Sequence, residues 1–141
     1  MDKHKVMVSC VVLLTVLLMA GLSFAGNAEE DAVQAAQEWL ALVDAGDFSG
    51  SWEQSAELLK KAVTKEQWKQ AMEATRKPLG DAVSREVAAT QYVTSLPGAP
   101  DGEYVVIQFK SSFANKKEAV ETVTPMKDPD GVWRVSGYFI K

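Results

Sequence analysis

The chain has 141 residues, a formal net charge of −4, and no run of basic residues longer than two, as at Lys60-Lys61 and Lys116-Lys117. Binding to a nucleic-acid backbone requires a concentrated basic face, so we expect no nucleic-acid partner. The sequence contains one histidine, His4, and one cysteine, Cys10, both within its first ten residues.

The N-terminal segment has the order of features found in secretory signal peptides. Basic residues in the first five positions precede an apolar run, Val6–Leu22, and then Ser23-Phe24-Ala25 before Gly26. Small residues on either side of Phe24, a small-x-small pattern, mark a cleavage site, which predicts a signal peptide of residues 1–25 cut between Ala25 and Gly26. The alternative is an uncleaved anchor, because the apolar stretch is just long enough to span a bilayer. We expect cleavage, export, and no membrane span in the mature chain.

Cleavage would leave 116 residues, 26–141, which is enough for one compact domain and too few for two. That remainder has 13 basic and 18 acidic residues, since Lys3, Lys5 and Asp2 are removed with the leader, and it has no histidine or cysteine. Disulfides, thiol or imidazole catalysis, and zinc or copper sites built on those ligands are therefore excluded from it. We expect no cofactor and no metal, and only carboxylate, tyrosine, lysine and main-chain chemistry.

Three helices are predicted after a short acidic lead at residues 26–31. The first has apolar residues at helical spacing and ends at Gly46, which can adopt the left-handed conformation that closes a helix. The second is predicted from a capping box at Ser51-Trp52-Glu53-Gln54 and continues to Val63. The third begins with the capping box Thr64-Lys65-Glu66-Gln67 and stops at Lys77-Pro78, because proline disfavours helical geometry in the preceding residue.

Four strands follow, and together they predict an antiparallel meander that the helices cover on one side. Alternating residues and intervening turn signals place the strands near Ala82–Leu96, Glu103–Phe113, Lys117–Met126 and Val132–Ile140. Residues of one parity should face the helices, namely Val105, Ile107, Phe109, Phe113, Trp133, Val135 and Phe139. Residues of the other parity, Tyr104, Val106, Tyr138 and Ile140, should then form an apolar outer sheet face.

Two resemblances follow from these elements. Asp44-Ala45-Gly46-Asp47-Phe48 and Asp130-Gly131-Val132-Trp133-Arg134-Val135 resemble short motifs of the nuclear transport factor two-like superfamily, which implies a cone-shaped α+β fold, three helices on a bent four-stranded meander. The stretch from Gln37 to Lys141 resembles the bacterial secreted family catalogued as domain of unknown function 4019, on these segments: Glu38–Asp44, Ser95–Gly102 and Ser112–Lys117. The second resemblance implies a bacterial periplasmic or secreted protein and assigns no activity or catalytic residue.

Two kinds of site are predicted. Trp68 lies in the first turn of the third helix, where a cavity between helices and sheet could open to a small apolar ligand, although core packing is the favoured explanation for each tryptophan. The outer face of Tyr104, Val106, Tyr138 and Ile140 could bind an envelope protein or a second copy of the chain.

The functional hypothesis from sequence is a non-enzymatic exported binding or interaction module. The alternative is a small cone-fold enzyme, isomerase-like or hydrolase-like, that uses a carboxylate and a tyrosine without histidine, cysteine or metal. An enzyme of that kind needs an enclosed pocket with at least one buried carboxylate, which is the feature that separates the two hypotheses.

Overall fold

The computed structural model describes residues 23–141, with side chains from residue 26. The elements in chain order are α1 Ser23–Asp44, α2 Phe48–Glu53, α3 Glu57–Ala62, α4 Lys65–Arg76, a 3₁₀ turn Lys77–Leu79, and strands β1 Ala82–Val93, β2 Tyr104–Phe113, β3 Lys116–Lys127 and β4 Trp133–Ile140. The predicted α+β class, helices before a four-stranded antiparallel sheet, is confirmed. The predicted count of three helices is wrong, since residues 23–141 form four. No helix among these residues is long and apolar enough to cross a membrane.

Helix α1 supplies most of the helical side of the core. Ala32, Ala36, Leu40 and Val43 follow one another at intervals of three or four residues and are almost fully buried, as the apolar stripe predicts. Gly46 adopts a φ of 77° and closes the helix through a bond from its N–H to the Val43 carbonyl.

The start of α1 differs from the prediction. The acidic stretch 26–31 is not a lead, because α1 already begins at Ser23. The proposed cleavage point between Ala25 and Gly26 therefore lies in the first turn of this helix. Residues 1–22, which contain most of the predicted signal peptide, lie outside the described residues.

The predicted second helix is two short helices, and the predicted capping box at Ser51 is wrong. Asp47 is the N-cap of α2, since its side chain accepts from the Gly50 N–H. Ser51 is buried inside α2 and donates to the Phe48 carbonyl. The split occurs because Ala56 is extended and its N–H donates to the Val135 carbonyl of β4, at 2.8 Å. That bond ties the chain between α2 and α3 to the sheet.

Helix α4 begins and ends as the sequence predicts. The Thr64 side chain accepts from the Gln67 N–H, and the Gln67 side chain accepts from the Thr64 N–H, so both halves of the capping box are formed. The helix ends at Arg76, and Pro78 lies in the 3₁₀ turn that leads to β1. This places the Arg76 side chain at the junction between the helices and the sheet.

The sheet has the order β1-β2-β3-β4, and every neighbouring pair is antiparallel. One row of partners across all four strands is Thr90, Ile107, Val123 and Tyr138. We call the face that carries this row the inner face, because Ile107 and Val123 pack with the apolar residues of α1 in one buried core. The opposite side is the outer face, and it carries Val106, Val120 and Phe139.

A bulge in β4 inverts the predicted orientation of its C-terminal half. Thr124 pairs with Gly137, and the next residue of β3, Pro125, pairs with Val135, so Ser136 has no partner in the register. An extra residue reverses the alternation beyond it. Tyr138 and Ile140 therefore face inward, and the prediction that they lie on the outer face is wrong. Phe139, predicted to be in the core, is 51% exposed on the outer face.

Tyr104 shows a different discrepancy on β2. It lies on the outer face, on the side of β2 opposite to the core residue Val105, as the alternation predicts. It is nevertheless fully buried, because the β1–β2 connection covers it and the Pro100 carbonyl accepts from its hydroxyl at 2.6 Å. Val106, its neighbour on the same strand, is half-buried.

Candidate functional site

Charged and hydroxyl side chains meet on the inner face where the C-terminal ends of α1 and α4 approach the sheet. We call this group the inner polar cluster, and its members are Asp44, Arg76, Arg85, Ser111, Glu121 and Tyr138. Two helices and all four strands each contribute one residue. The cluster therefore depends on the assembled fold rather than on any local motif.

Glu121 is the centre of the cluster and is fully buried. Its Oε1 accepts from Arg85 Nε at 2.6 Å and from the Ser111 hydroxyl, and its Oε2 accepts from the Tyr138 hydroxyl. Burial raises the pKa of Tyr138 well above its usual range, and the negative charge of Glu121 adds to this effect. Tyr138 is therefore a protonated donor that stabilises the Glu121 carboxylate.

Asp44, at the end of α1, connects two arginines to the cluster. Its Oδ2 accepts from Arg85 Nη1 at 2.7 Å, and its Oδ1 accepts from Arg76 Nη2 at 2.8 Å. Partial burial opposes ionisation of Asp44, but the hydrogen bonds from Arg85 and Arg76 outweigh burial and lower the pKa of this carboxyl. For Arg85 the same balance holds: burial opposes the charge, and the bonds to Asp44 and Glu121 raise its pKa. The two carboxylates and two guanidinium groups sum to no net charge.

Arg76 is the one member of the cluster, among the described residues, with buried side-chain nitrogens that lack a hydrogen-bond partner. Its side chain is 5% exposed, and its guanidinium carbon lies 4.7 Å from the centre of the Phe113 ring, a cation–π contact. Nε and Nη1 are buried without a hydrogen-bond partner. A buried unpaired donor costs about 1–3 kcal/mol, so Arg76 holds a position that other contacts must stabilise.

The cluster contains the two groups that the enzyme hypothesis requires, a buried carboxylate and a tyrosine. Each is engaged with the other, and Arg85 also neutralises Glu121. A general base needs a free lone pair aimed at a substrate. Arg85 and Ser111 line one cleft of the described chain, and Asp44 and Arg76 line another, but neither Glu121 nor Tyr138 lines these two clefts or the two beside α1. In this arrangement the cluster joins the helices to the sheet.

Trp68, the predicted ligand-binding residue, lies in an aromatic group beside the cluster. Its ring centre is 5.9 Å from that of Trp39, and Trp39 packs edge-on against Tyr138 at 5.1 Å. The Trp68 indole N–H donates to the Ser51 hydroxyl at 3.0 Å. Its half-buried ring thus packs against the core, and a role in ligand binding stays a prediction.

The four residues predicted as an interface are not brought together. Tyr104 is covered by the β1–β2 connection, and Tyr138 and Ile140 face inward, which leaves Val106 alone on the accessible outer face. The structure adds two apolar residues that the sequence interpretation missed, Val120, 41% exposed, and Phe139, 51% exposed. Val120 pairs with Lys110 on β2 and therefore has the outer parity, a signal that was present in the strand alternation.

No group of three or more acidic, histidine or cysteine side chains in residues 23–141 is arranged to hold a metal ion.

The pattern of a protein family, described as "Protein of unknown function (DUF4019)", matches residues 35–138 of the chain. The chain belongs to this family. The matched range runs from the middle of α1 into β4 and includes every member of the inner polar cluster. No curated protein and no solved structure matches the chain. Family membership thus adds no activity to what the geometry indicates.

Proposed function

We propose that this protein is an exported, non-enzymatic interaction module of the bacterial cell envelope, with a nuclear transport factor two-like architecture, that pairs with a second copy of itself through the outer sheet face. The observation that carries the proposal is the exposed apolar surface of the outer face, beyond the part at Tyr104 that the β1–β2 connection covers. The buried residues of α1, α2 and α4 pack with inner-face residues of the sheet. The outer face keeps Phe139 and Val120 exposed, with Val106 half-buried.

Charge on the outer face favours a second copy as the occupant. Glu86 and Lys110 are cross-strand partners there, and Glu118 shares their parity on β3. All three side chains are exposed. In a two-fold contact the same patch meets itself, so a face that carries both signs can place each lysine opposite a carboxylate. A face of one sign would repel its own copy.

The dimensions of the sheet support the same conclusion. Strands of about ten residues are ~33 Å long, and four strands at ~4.8 Å spacing are ~19 Å wide, which gives a projected area of roughly 600 Å². A standard stable interface buries about 800 Å² of accessible surface on each partner, and the accessible surface of a sheet face is larger than its projected area because the side chains make it uneven. The outer face is therefore comparable in size to one side of a standard dimer interface.

Export rests on the N-terminal sequence. The order of basic, apolar and small residues up to Ala25 is that of a cleavable signal peptide. The absence of cysteine from residues 26–141 is compatible with an oxidising compartment, because such a chain forms no unwanted disulfides there.

The alternative, a small cone-fold enzyme, is favoured by one observation, the contact of the buried Glu121 with Tyr138. Catalysis would require Glu121 to exchange its protein partners for a substrate. Crystals soaked with small hydroxylated or carbonyl compounds test this hypothesis, because density within hydrogen-bonding distance of Glu121 would support it and replace our proposal.

Sedimentation velocity on matched valine variants tests the interaction module. Val120→Glu places a charge in the centre of the outer face, and Val132→Glu places the same charge on an equally exposed valine just before β4. We expect the wild type and Val132→Glu to sediment as dimers and Val120→Glu as a monomer with an unchanged thermal melt. A monomeric wild type, or a dimer that persists in Val120→Glu, would refute the proposal.

A further inference from the structure

The free edge of β1 is the second unoccupied surface of the sheet. β1 is an outermost strand, and no backbone hydrogen bond of residues 82–93 to a loop or turn is present in the described chain. Two of the most exposed large apolar residues, Val83 at 69% and Val87 at 42%, lie on this strand. Its pairing with β2 is irregular at Val83 and at Ala88. The unpaired backbone groups along this edge are an open template for another strand, interrupted at the two irregular positions.

A shallow groove of about 670 Å³ lies between this strand and α1. Its volume is within the range of ~300–1,000 Å³ that is typical of ligand sites. The lining residues are Gly26, Glu29, Glu30, Val33, Gln34 and Gln37 on the helix and Val87 and Thr90 on β1. The helical positions recur at intervals of three or four, so they form one continuous face about 16 Å long.

Two contacts show that α1 runs antiparallel alongside β1. The Thr90 hydroxyl donates to Glu29 at 3.1 Å near the start of the helix, and Arg85 pairs with Asp44 at its end. The groove therefore follows the direction of the strand. A helix beside an unpaired strand edge is the geometry in which proteins bind extended peptides by adding a strand to their sheet.

The lining of the groove specifies the chemistry of such a peptide. Glu29 and Glu30 are the charged side chains among the lining positions, and no lysine or arginine side chain accompanies them; in the exported chain the α-ammonium group of Gly26 would join them and leave the groove with a net negative charge. Val33 and Val87 supply apolar surface next to these carboxylates. Complementarity thus requires a basic side chain flanked by aliphatic ones on the face that the peptide turns toward α1.

We propose that the groove between α1 and β1 binds an extended peptide segment of a partner protein that carries a lysine or arginine between aliphatic residues. The segment pairs with the free edge of β1 through its main chain. Its inward side chains alternate with outward ones, so that aliphatic residues contact Val33 and Val87 and the basic residue reaches Glu30. This site is separate from the outer face and does not rest on the proposed self-association.

Calorimetric titration of the full chain with short synthetic peptides tests the inference. The probe has the sequence Thr-Val-Thr-Lys-Thr-Val-Thr, so that its valines and lysine share one face of an extended chain. One control peptide replaces lysine with glutamate, and another carries N-methyl groups on the amides that would pair with β1. We expect the probe to bind and both controls to bind at least about tenfold more weakly.

Protein variants locate the binding. Glu30→Lys should weaken binding of the lysine peptide about tenfold and strengthen binding of the glutamate peptide, because it reverses the charge of the groove. Glu118→Lys, the same change on the exposed outer face, should alter neither affinity, and Phe139→Glu should keep the peptide bound even where it disrupts dimers. Absence of binding up to about 1 mM, indifference to N-methylation, or equal effects of Glu30→Lys and Glu118→Lys would overturn the inference.

Discussion

Replacing Glu121 with glutamine should destabilise the protein by about 3 kcal/mol. Glu121 is fully buried, and its partner Arg85 is only 16% exposed, so the change leaves a guanidinium with one of its two carboxylates missing. Breaking a buried ion pair costs about 3–5 kcal/mol. We take the lower end because Arg85 keeps its contact with Asp44. The new amide also points its NH₂ group either at the Tyr138 hydroxyl, which must then turn to accept, or at the Ser111–Arg85 side, where it meets the Arg85 Nε–H donor.

Urea denaturation followed by tryptophan fluorescence measures this loss. With an m-value of about 2 kcal/mol/M, a loss of 3 kcal/mol lowers the midpoint by about 1.5 M. Glu118→Gln is the matched control, because this exposed glutamate of β3 is on the outer face, and it should change stability by no more than about 0.5 kcal/mol. The double variant Glu121→Leu with Arg85→Met should recover part of the loss. If Glu121→Gln unfolds at the wild-type midpoint, the cluster does not hold the helices to the sheet.

Three further predictions concern pH and capping. The pKa of Tyr138 is raised in the folded protein, so this residue stabilises the fold fully below about pH 10, the pKa of tyrosine in the unfolded chain, and this stabilisation is lost as the pH rises further. In unfolding titrations between pH 9 and 11, the free energy of unfolding should therefore fall less steeply with pH in Tyr138→Phe than in the wild type. Equal slopes would contradict this. The pKa of Asp44 is lowered in the folded protein, so this carboxylate stabilises the fold above about pH 4, and this stabilisation is lost as the pH falls through the pKa of Asp44 in the folded state. In Asp44→Asn, the free energy of unfolding should therefore fall less steeply at acid pH than in the wild type. Thr64→Ala removes the cap of α4 and should cost about 1 kcal/mol in thermal melts followed by circular dichroism, whereas no change would mean that the cap contributes nothing.

Local signals predicted much of the fold. The Thr64 capping box, the closure of α1 at Gly46 and the turn at Pro78 all depend on neighbouring residues, and all three are found where the sequence places them. The order of the four strands follows from one loop, residues 94–103, and two short turns between alternating segments. These features require no knowledge of distant contacts.

Features that depend on distant contacts were missed. The bond from Ala56 to β4 divides one predicted helix into two, and no pattern near Ala56 reveals it. The bulge at Ser136 reverses the orientation of Tyr138, because parity counted along a strand does not detect an extra residue. The predicted strand Lys117–Met126 includes Glu121, but nothing in the sequence indicates that this residue is buried, since its partners come from three other strands. The inner polar cluster therefore became visible only in the folded chain.

Cysteine cross-linking tests the central claim, association through the outer sheet face, most directly. Gln108 is exposed on the outer face near the middle of β2, and Gln34 is exposed on α1, away from this face. In the exported chain of residues 26–141, which has no cysteine of its own, each glutamine is replaced by cysteine in turn, and the dilute protein is oxidised. Our account predicts a covalent dimer for Gln108→Cys and a monomer for Gln34→Cys. A monomer for Gln108→Cys, or equal cross-linking of both variants, would contradict it.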